Sequence, residues 1–219
     1  MRWQELIGRI RALAGRKAAL TLAVNALFWG GYGWLARHAV FPVRPMATTA
    51  IDRAVAFAPE PWAAVYLSQF LLTGLLPWLI DAAEVLRRYV VALLLLSGAS
   101  FVIFLLWPVA SPRPVELPAG GLMAWIARAD GSYNAFPSLH AGFLVLVGGL
   151  GWRMFARRPA WPAAGVFALW AAAILYATLA TRQHYFWDLV AGLALGLGSD
   201  RTAWRGFTRT ARPRLGTPG

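Results

Sequence analysis

Six apolar runs divide the chain, near residues 18–36, 61–80, 89–109, 138–156, 162–181 and 184–199. Each approaches the ~20 residues a helix needs to cross a hydrocarbon core. The last run is short, and it opens on polar groups: "TRQHYFWDLVAG", Thr181 to Gly192, puts Arg182, His184 and Asp188 at the mouth of an otherwise apolar segment. Charge next to a membrane interior is costly, so these three residues call for a functional explanation. Ahead of the first run, Trp3, Leu6, Ile7, Ile10 and Leu13 recur at helical spacing with arginines between them. That pattern predicts a basic amphipathic helix on the inner leaflet within 1–17, a frayed basic tail being the plainer alternative.

Composition agrees with the pattern. The chain is 59% hydrophobic and 14% charged, with a mean hydropathy of +0.54, against about 45–50% and about 25% for a soluble domain. The predicted fold is an all-α, integral membrane bundle of six transmembrane helices over 18–200, followed by a basic cytoplasmic tail, 201–219, expected to be disordered. The first run is too long for the h-region of a signal peptide and lacks a small-x-small cleavage site, so it is read as retained. Absence of cysteine excludes disulfide and thiolate chemistry.

A net charge of +12 raises the question of nucleic acid, but the basic residues sit between apolar runs and form no continuous patch. Their distribution sets orientation instead. One side holds the N-terminal arginines with Lys17, the pair Arg87 and Arg88, then Arg153, Arg157 and Arg158, and the arginine-rich tail. The other holds only Arg37, Arg44, Arg53, Arg113, Arg128 and Arg182. Both termini are therefore expected in the cytoplasm of a plasma or inner membrane, with the polar mouth of the last run facing outside or the periplasm.

On that topology the polar residues converge. The third run ends outside and is followed by "SPRP" with Arg113, then by a loop with a possible short helix at "GLMAWIARA". The stretch "DGSYNAFPSLHAG" then starts the fourth run, with Pro137, Ser138 and His140 expected in its first turn. The fourth and fifth runs cross in and back, so His184 and Asp188 enter from the same face as His140. His184 and Asp188 are four apart, as on one helix face. A carboxylate there can fix the imidazole tautomer and leave the other ring nitrogen as nucleophile or base. Ser138 at a helix start favours an anion, and Arg113 and Arg182 supply planar forks matched to phosphate oxygens.

These residues resemble a known family. "FPSLHAG" and "RQHYFWDLVAG" look like the second and third signatures of the type-2 phosphatidic acid phosphatase superfamily. The wider D-x-x-x-N-x-F-P-S-L-H spelling, Asp130, Asn134 and Phe136 to His140, resembles its inositol phosphorylceramide synthase-like branch. The resemblance implies six transmembrane helices and a phosphohistidine intermediate. His184 would attack phosphorus, Asp188 would orient it, and His140 would protonate the leaving oxygen. Phosphate would be bound by Arg113, Ser138 and Arg182, with no metal and no cofactor.

Three positions depart from the superfamily pattern. Leu106 stands where the first signature has lysine, Leu139 replaces the usual glycine of the second, and Thr178 stands where the third has arginine. Arg182 is expected to substitute for that arginine. A second basic-x6-Arg-Pro match, through Arg37, Arg44 and Pro45, lies after the first run and faces the same side. The pair Gly192 and Gly196 reads as a close helix contact.

Other classes fit the same residues less well. Haem ligation by two histidines leaves Asp188 without a role, and a zinc site would be repelled by the nearby arginines. The expected function is a lipid phosphatase acting on a lipid phosphate or pyrophosphate monoester. The alternative enzyme is a phosphotransferase moving a phospho-headgroup such as phosphoinositol to an alcohol, and the non-enzyme alternative is a lipid transporter. Expected partners are the lipid phosphate substrate and the bilayer, with no nucleic acid; oligomeric state is left open.

Overall fold

The structure is a computed structural model that describes residues 3–114, 120–155 and 161–207. Arg157, Arg158 and the tail beyond Phe207 lie outside the described residues. The helices are α1 (Trp3–Arg11), α2 (Ala14–Leu35), the short α3 (Ala50–Ala54), α4 (Pro59–Leu75), α5 (Ala83–Leu106), α6 (Gly121–Ala129), α7 (Leu139–Phe155), α8 (Trp161–Ala180) and α9 (Phe186–Ala203). A 3-10 turn, Leu76–Leu79, prolongs α4. No strand occurs among the described residues; isolated bridges link Arg44 to Val109 and Val109 to Asn134 at the end of the bundle that carries α3 and α6.

Helices form where the apolar runs predict them, because a helix satisfies every backbone group internally where no water reaches. Three are long and apolar enough to cross a membrane: Pro59–Leu79, Ala83–Leu106 and Trp161–Ala180. α7 is equally apolar but shorter. α2 dilutes its run with Asn25 and several glycines, and α9 with Asp188, Asp200 and Arg201. Large apolar side chains face outward, Leu22, Leu71, Val166 and Leu169 being 63–75% exposed, as a bilayer-covered surface requires.

α7 lies at the centre, with nearly its whole first half buried. It packs closest against α9, because Gly192 and Gly196 let the backbones meet. A Cβ on Gly192 would overlap the carbonyl oxygen of Ser138, and one on Gly196 would stand 2.7 Å from that of Gly142. α5 lies across both α7 and α9, α4 lies against α8, and α2 packs on α5. Leu86, Leu96, Phe104, Phe143, Leu146 and Leu150 fill the space between them.

The far end is fastened by charge. Arg153 holds Asp200 through two bonds of 2.9 and 2.6 Å and lies over the ring of Trp204. α9 thus continues to Ala203, and Trp204 is buried. α1 buries no residue of its own and leaves Trp3 exposed, as a helix on a membrane surface would. Lys17 ties it down by donating to the carbonyls of Arg9 and Trp78, each at 2.7 Å.

Candidate active site

The site is built on two helix starts, those of α7 and α9, brought together by the glycine contact. α8 ends in a Schellman reversal: the amide of Arg182 donates to the carbonyl of Leu179 at 3.0 Å and that of Gln183 to Thr178 at 3.0 Å. Arg182 occupies the left-handed position of the motif, φ 54°, where glycine is usual. Tyr185 is then extended and α9 starts at Phe186. His184 therefore lies in the connector and Asp188 in the first turn, so they do not share a helix face as expected from their spacing.

They meet nonetheless. His184 Nδ1 is 2.8 Å from the carbonyl oxygen of Ala135 and 3.6 Å from Asp188 Oδ2. Donation to a carbonyl places the proton on Nδ1 and leaves Nε2 with a free lone pair. Ala135 is itself held, its amide donating to Val109 at 3.1 Å. Asp188, fully buried, accepts the amide of Tyr185 at 2.6 Å, and its own carbonyl accepts the amide of Ser138 at 2.9 Å. One residue thus joins the two helix starts.

α7 begins at Leu139, two residues later than Pro137, and the Phe136–Pro137 bond is cis. Ser138 precedes the first helical residue, and its hydroxyl accepts the Ala141 amide at 3.3 Å, the N-cap arrangement. The first-turn amides have no partner within their own helix and carry the positive end of its dipole. His140 stacks on Tyr66, ring centroids 4.0 Å apart, with Phe70 edge-on at 5.7 Å. Its carbonyl accepts Gln69 Nε2 at 3.0 Å. The rings of His140 and His184 are 5.9 Å apart.

The two expected phosphate arginines are placed differently. Arg113 reaches the site beside His184, where its guanidinium donates to the Gln183 side-chain oxygen, to the Asp130 carbonyl at 2.9 Å and to the Asp130 carboxylate at 3.3 Å. Arg182 spans instead to the carbonyls of Asp52 and Val55, at 2.8 and 2.9 Å, and holds α3 against the α8–α9 connector. In the other Arg-Pro match, Arg44 lies 3.7 Å over the ring of Trp107, and Arg37 donates to the carbonyls of Gly33 and Ala129.

Three residues escaped the sequence reading as parts of the site. Gln183 links Arg113 to the connector. Asp52, distant in sequence, closes the capping box of α3 and also accepts the Phe186 amide at 2.8 Å, at the start of α9. Asp130 was legible as part of the long signature but had no role. It accepts from Tyr32 at 3.2 Å and from Arg113, and burial pushes its carboxyl above the ordinary range against the pull of Arg113.

Buried polar atoms are nearly always hydrogen-bonded, so exceptions mark places for a ligand or water. Among the described residues eight such atoms are buried without a partner. Gln69 Oε1, Asp130 Oδ1, Asn134 Nδ2, His140 Nε2 and Asp188 Oδ1 belong to residues on or beside the two helix starts, whereas Tyr89 Oη and Ser100 Oγ lie on α5 and Ser111 Oγ in the segment after it.

Fold and site together define a helical protein of membrane character with two histidines brought together at adjoining helix starts. A model of the PAP2 superfamily matches residues 37–200, and the chain belongs to that superfamily. Its members are phosphoesterases and phosphotransferases, which makes this an enzyme of phosphatase type. No curated protein and no solved structure matches the chain.

Proposed function

We propose that the chain is a six-span membrane lipid phosphatase of the outer or periplasmic face, both termini cytoplasmic, working through a phosphohistidine on His184. The observation that carries this reading is the hydrogen bond from His184 Nδ1 to the Ala135 carbonyl, which frees Nε2 at 5.9 Å ring separation from His140.

The cycle has two displacements at phosphorus. Nε2 of His184 attacks phosphorus, the bond from phosphorus to the lipid oxygen breaks, and His140 gives that oxygen its proton. A water then attacks the phosphohistidine, His140 takes one of its protons, and the phosphorus–nitrogen bond breaks to release phosphate. Asp188 offsets the positive charge on the phosphorylated imidazole. Arg113 and the first-turn amides of α7 meet the phosphate oxygens, so the charge stabilisation needs no metal. Ser138 shapes that helix start through its cap, and Arg182 fixes the connector bearing His184.

Replacement of water by an alcohol in the second step would turn the same machinery into a phosphotransferase. The synthase-like spelling from Asp130 to His140 favours that second reading. Purified protein, given a panel of lipid phosphates with chelator present, is expected to release inorganic phosphate, and His184→Ala is expected to release none. Silence of the wild type on every lipid, with turnover appearing only when alcohols are added, would replace hydrolysis by transfer. Equal silence of both proteins there too would return the transporter reading.

A further inference from the structure

The connector from α8 to α9 is gripped by a short segment far from it in sequence, α3 and the residues that follow. The Ala58 amide donates to the carbonyl of Ala180, the last residue of α8, at 3.0 Å. Arg182 donates to the carbonyls of Asp52 and Val55. The Asp52 carboxylate accepts the amide of Phe186, the first residue of α9, at 2.8 Å. His184 is bracketed by these bonds, with Arg182 two residues before it and Phe186 two after. Val55 also packs on the cluster of Ala141, Leu179 and Leu189, where α7, α8 and α9 meet.

Asp52 is fitted to this place. It is 4% exposed, and both carboxylate oxygens are used. Oδ2 accepts the Thr49 amide and hydroxyl, each at 2.7 Å, and Oδ1 accepts the Phe186 amide. Bonds of this kind are what make a buried carboxylate tolerable. The amide of a first helical residue has no partner within its own helix, and a negative charge there also meets the positive end of the dipole. Asp52 thus does from α3 what an N-cap side chain does locally.

We propose that Asp52 is a positioning residue for the nucleophile, capping α9 from α3 so that the connector keeps His184 Nδ1 on the Ala135 carbonyl. This rests on the phosphatase reading only in naming His184 the nucleophile. Without Asp52 the Phe186 amide loses its acceptor, which costs its desolvation. The carboxylate on its own helical turn is Asp188, which faces His184. An amide that draws Asp188 towards itself, or that tilts the helix start to reach water, takes the imidazole off Ala135. The ring proton is then free to divide between Nδ1 and Nε2, and the Nε2 lone pair is lost in part of the molecules.

The test reads the ring itself, by NMR of protein isotope-labelled at its histidine nitrogens. Only His38, His140 and His184 contribute, and His184→Ala assigns the third set of signals. The wild type is expected to hold His184 as one tautomer, protonated at Nδ1, and Asp52→Ala to show both neutral tautomers. In the same variant kcat is expected to fall about tenfold or more, as for a misplaced reacting group, while inhibition by inorganic phosphate stays within about threefold. Asp52→Glu suits the capping box with Thr49 and so keeps α3 folded, but its longer side chain misplaces the acceptor, and it should shift the ring in the same sense. Asp52→Asn keeps an acceptor for Phe186 and is expected to restore the Nδ1 tautomer and most of kcat. Thr49→Val weakens the α3 cap and leaves the Asp52–Phe186 bond, so it should lower the melting temperature without changing tautomer or kcat. A wild-type ring not protonated at Nδ1 would overturn the proposal, as would a ring left unchanged by both Asp52→Ala and Asp52→Glu. A tautomer change that Thr49→Val reproduces, or that Asp52→Asn fails to correct, would reduce Asp52 to a structural part of α3. The tautomer is read without turnover, so the phosphatase reading fails separately, on phosphate release by the wild-type enzyme.

Discussion

His184 donates its Nδ1–H to the carbonyl oxygen of Ala135, at 2.8 Å, while the Asp188 carboxylate stands off at 3.6 Å. The tautomer is thus set by a carbonyl, and the carboxylate contributes charge. A carbonyl held between Val109 and the α7 start cannot be removed by a side-chain substitution, so the two contributions are separable by experiment.

Asp188→Asn keeps an oxygen to accept the Tyr185 amide and keeps the volume, but removes the charge facing the imidazole. Two unit charges at this distance interact by about 4 kcal/mol at an effective dielectric of ~20. We expect kcat to fall roughly 10²–10³-fold, with the melting temperature nearly unchanged. A variant of full activity would remove Asp188 from the chemistry.

Arg113 and Arg182 should fail in different ways. Arg113→Ala is expected to lower kcat/KM by roughly 10²-fold or more, the cost of losing one preorganised phosphate donor. Arg182→Ala loses two bonds to the α3 loop and leaves a Cβ in the left-handed region, whereas Arg182→Gly loses the bonds but suits the backbone. Thermal unfolding in detergent should rank Gly above Ala by about 1–2 kcal/mol, with inhibition by inorganic phosphate little altered in either. Phosphate inhibition lost in both Arg182 variants would reassign that residue to the phosphate.

Gly192→Ala drives a Cβ into the Ser138 carbonyl, against backbone that cannot swing aside. The α7–α9 contact must open, at a cost of about 1–3 kcal/mol, and the two histidines move apart. Gly198→Ala, on the same helix with nothing within 4 Å, serves as control. Unfolding and phosphate release should both suffer in the first variant and neither in the second.

Because the chain has no cysteine, single cysteines report topology cleanly. Ala47→Cys, exposed in the loop before α3, should react with an impermeant maleimide on intact cells. Arg87→Cys, near the start of α5, should react only after the membrane is opened. The reverse pattern would invert the site to the cytoplasm.

Much of this was legible in the sequence, for a physical reason. A helix in lipid satisfies its own backbone, so the apolar runs over 61–80, 89–109 and 162–181 announce α4, α5 and α8 without reference to their neighbours. His140, His184 and Asp188 were legible because costly polar groups in apolar segments must have partners. Connector geometry was less visible. Nothing in the letter Ala135 signals that its carbonyl orients a histidine, and nothing in Arg182 announces a left-handed cap that a glycine would normally fill. Asp52 joins α9 from the far side of the sequence, and only the folded chain brings it there. Gly192 and Gly196, by contrast, told of the close contact in advance, because only small residues permit it.

The most direct test of the central claim is rapid quenching of the enzyme during turnover of a lipid carrying labelled phosphate. The account predicts an acid-labile, base-stable phosphoryl adduct on the protein, mapping to His184, absent from His184→Ala and chased by water. Turnover by the His184→Ala protein, or label residing on any other residue, would contradict it.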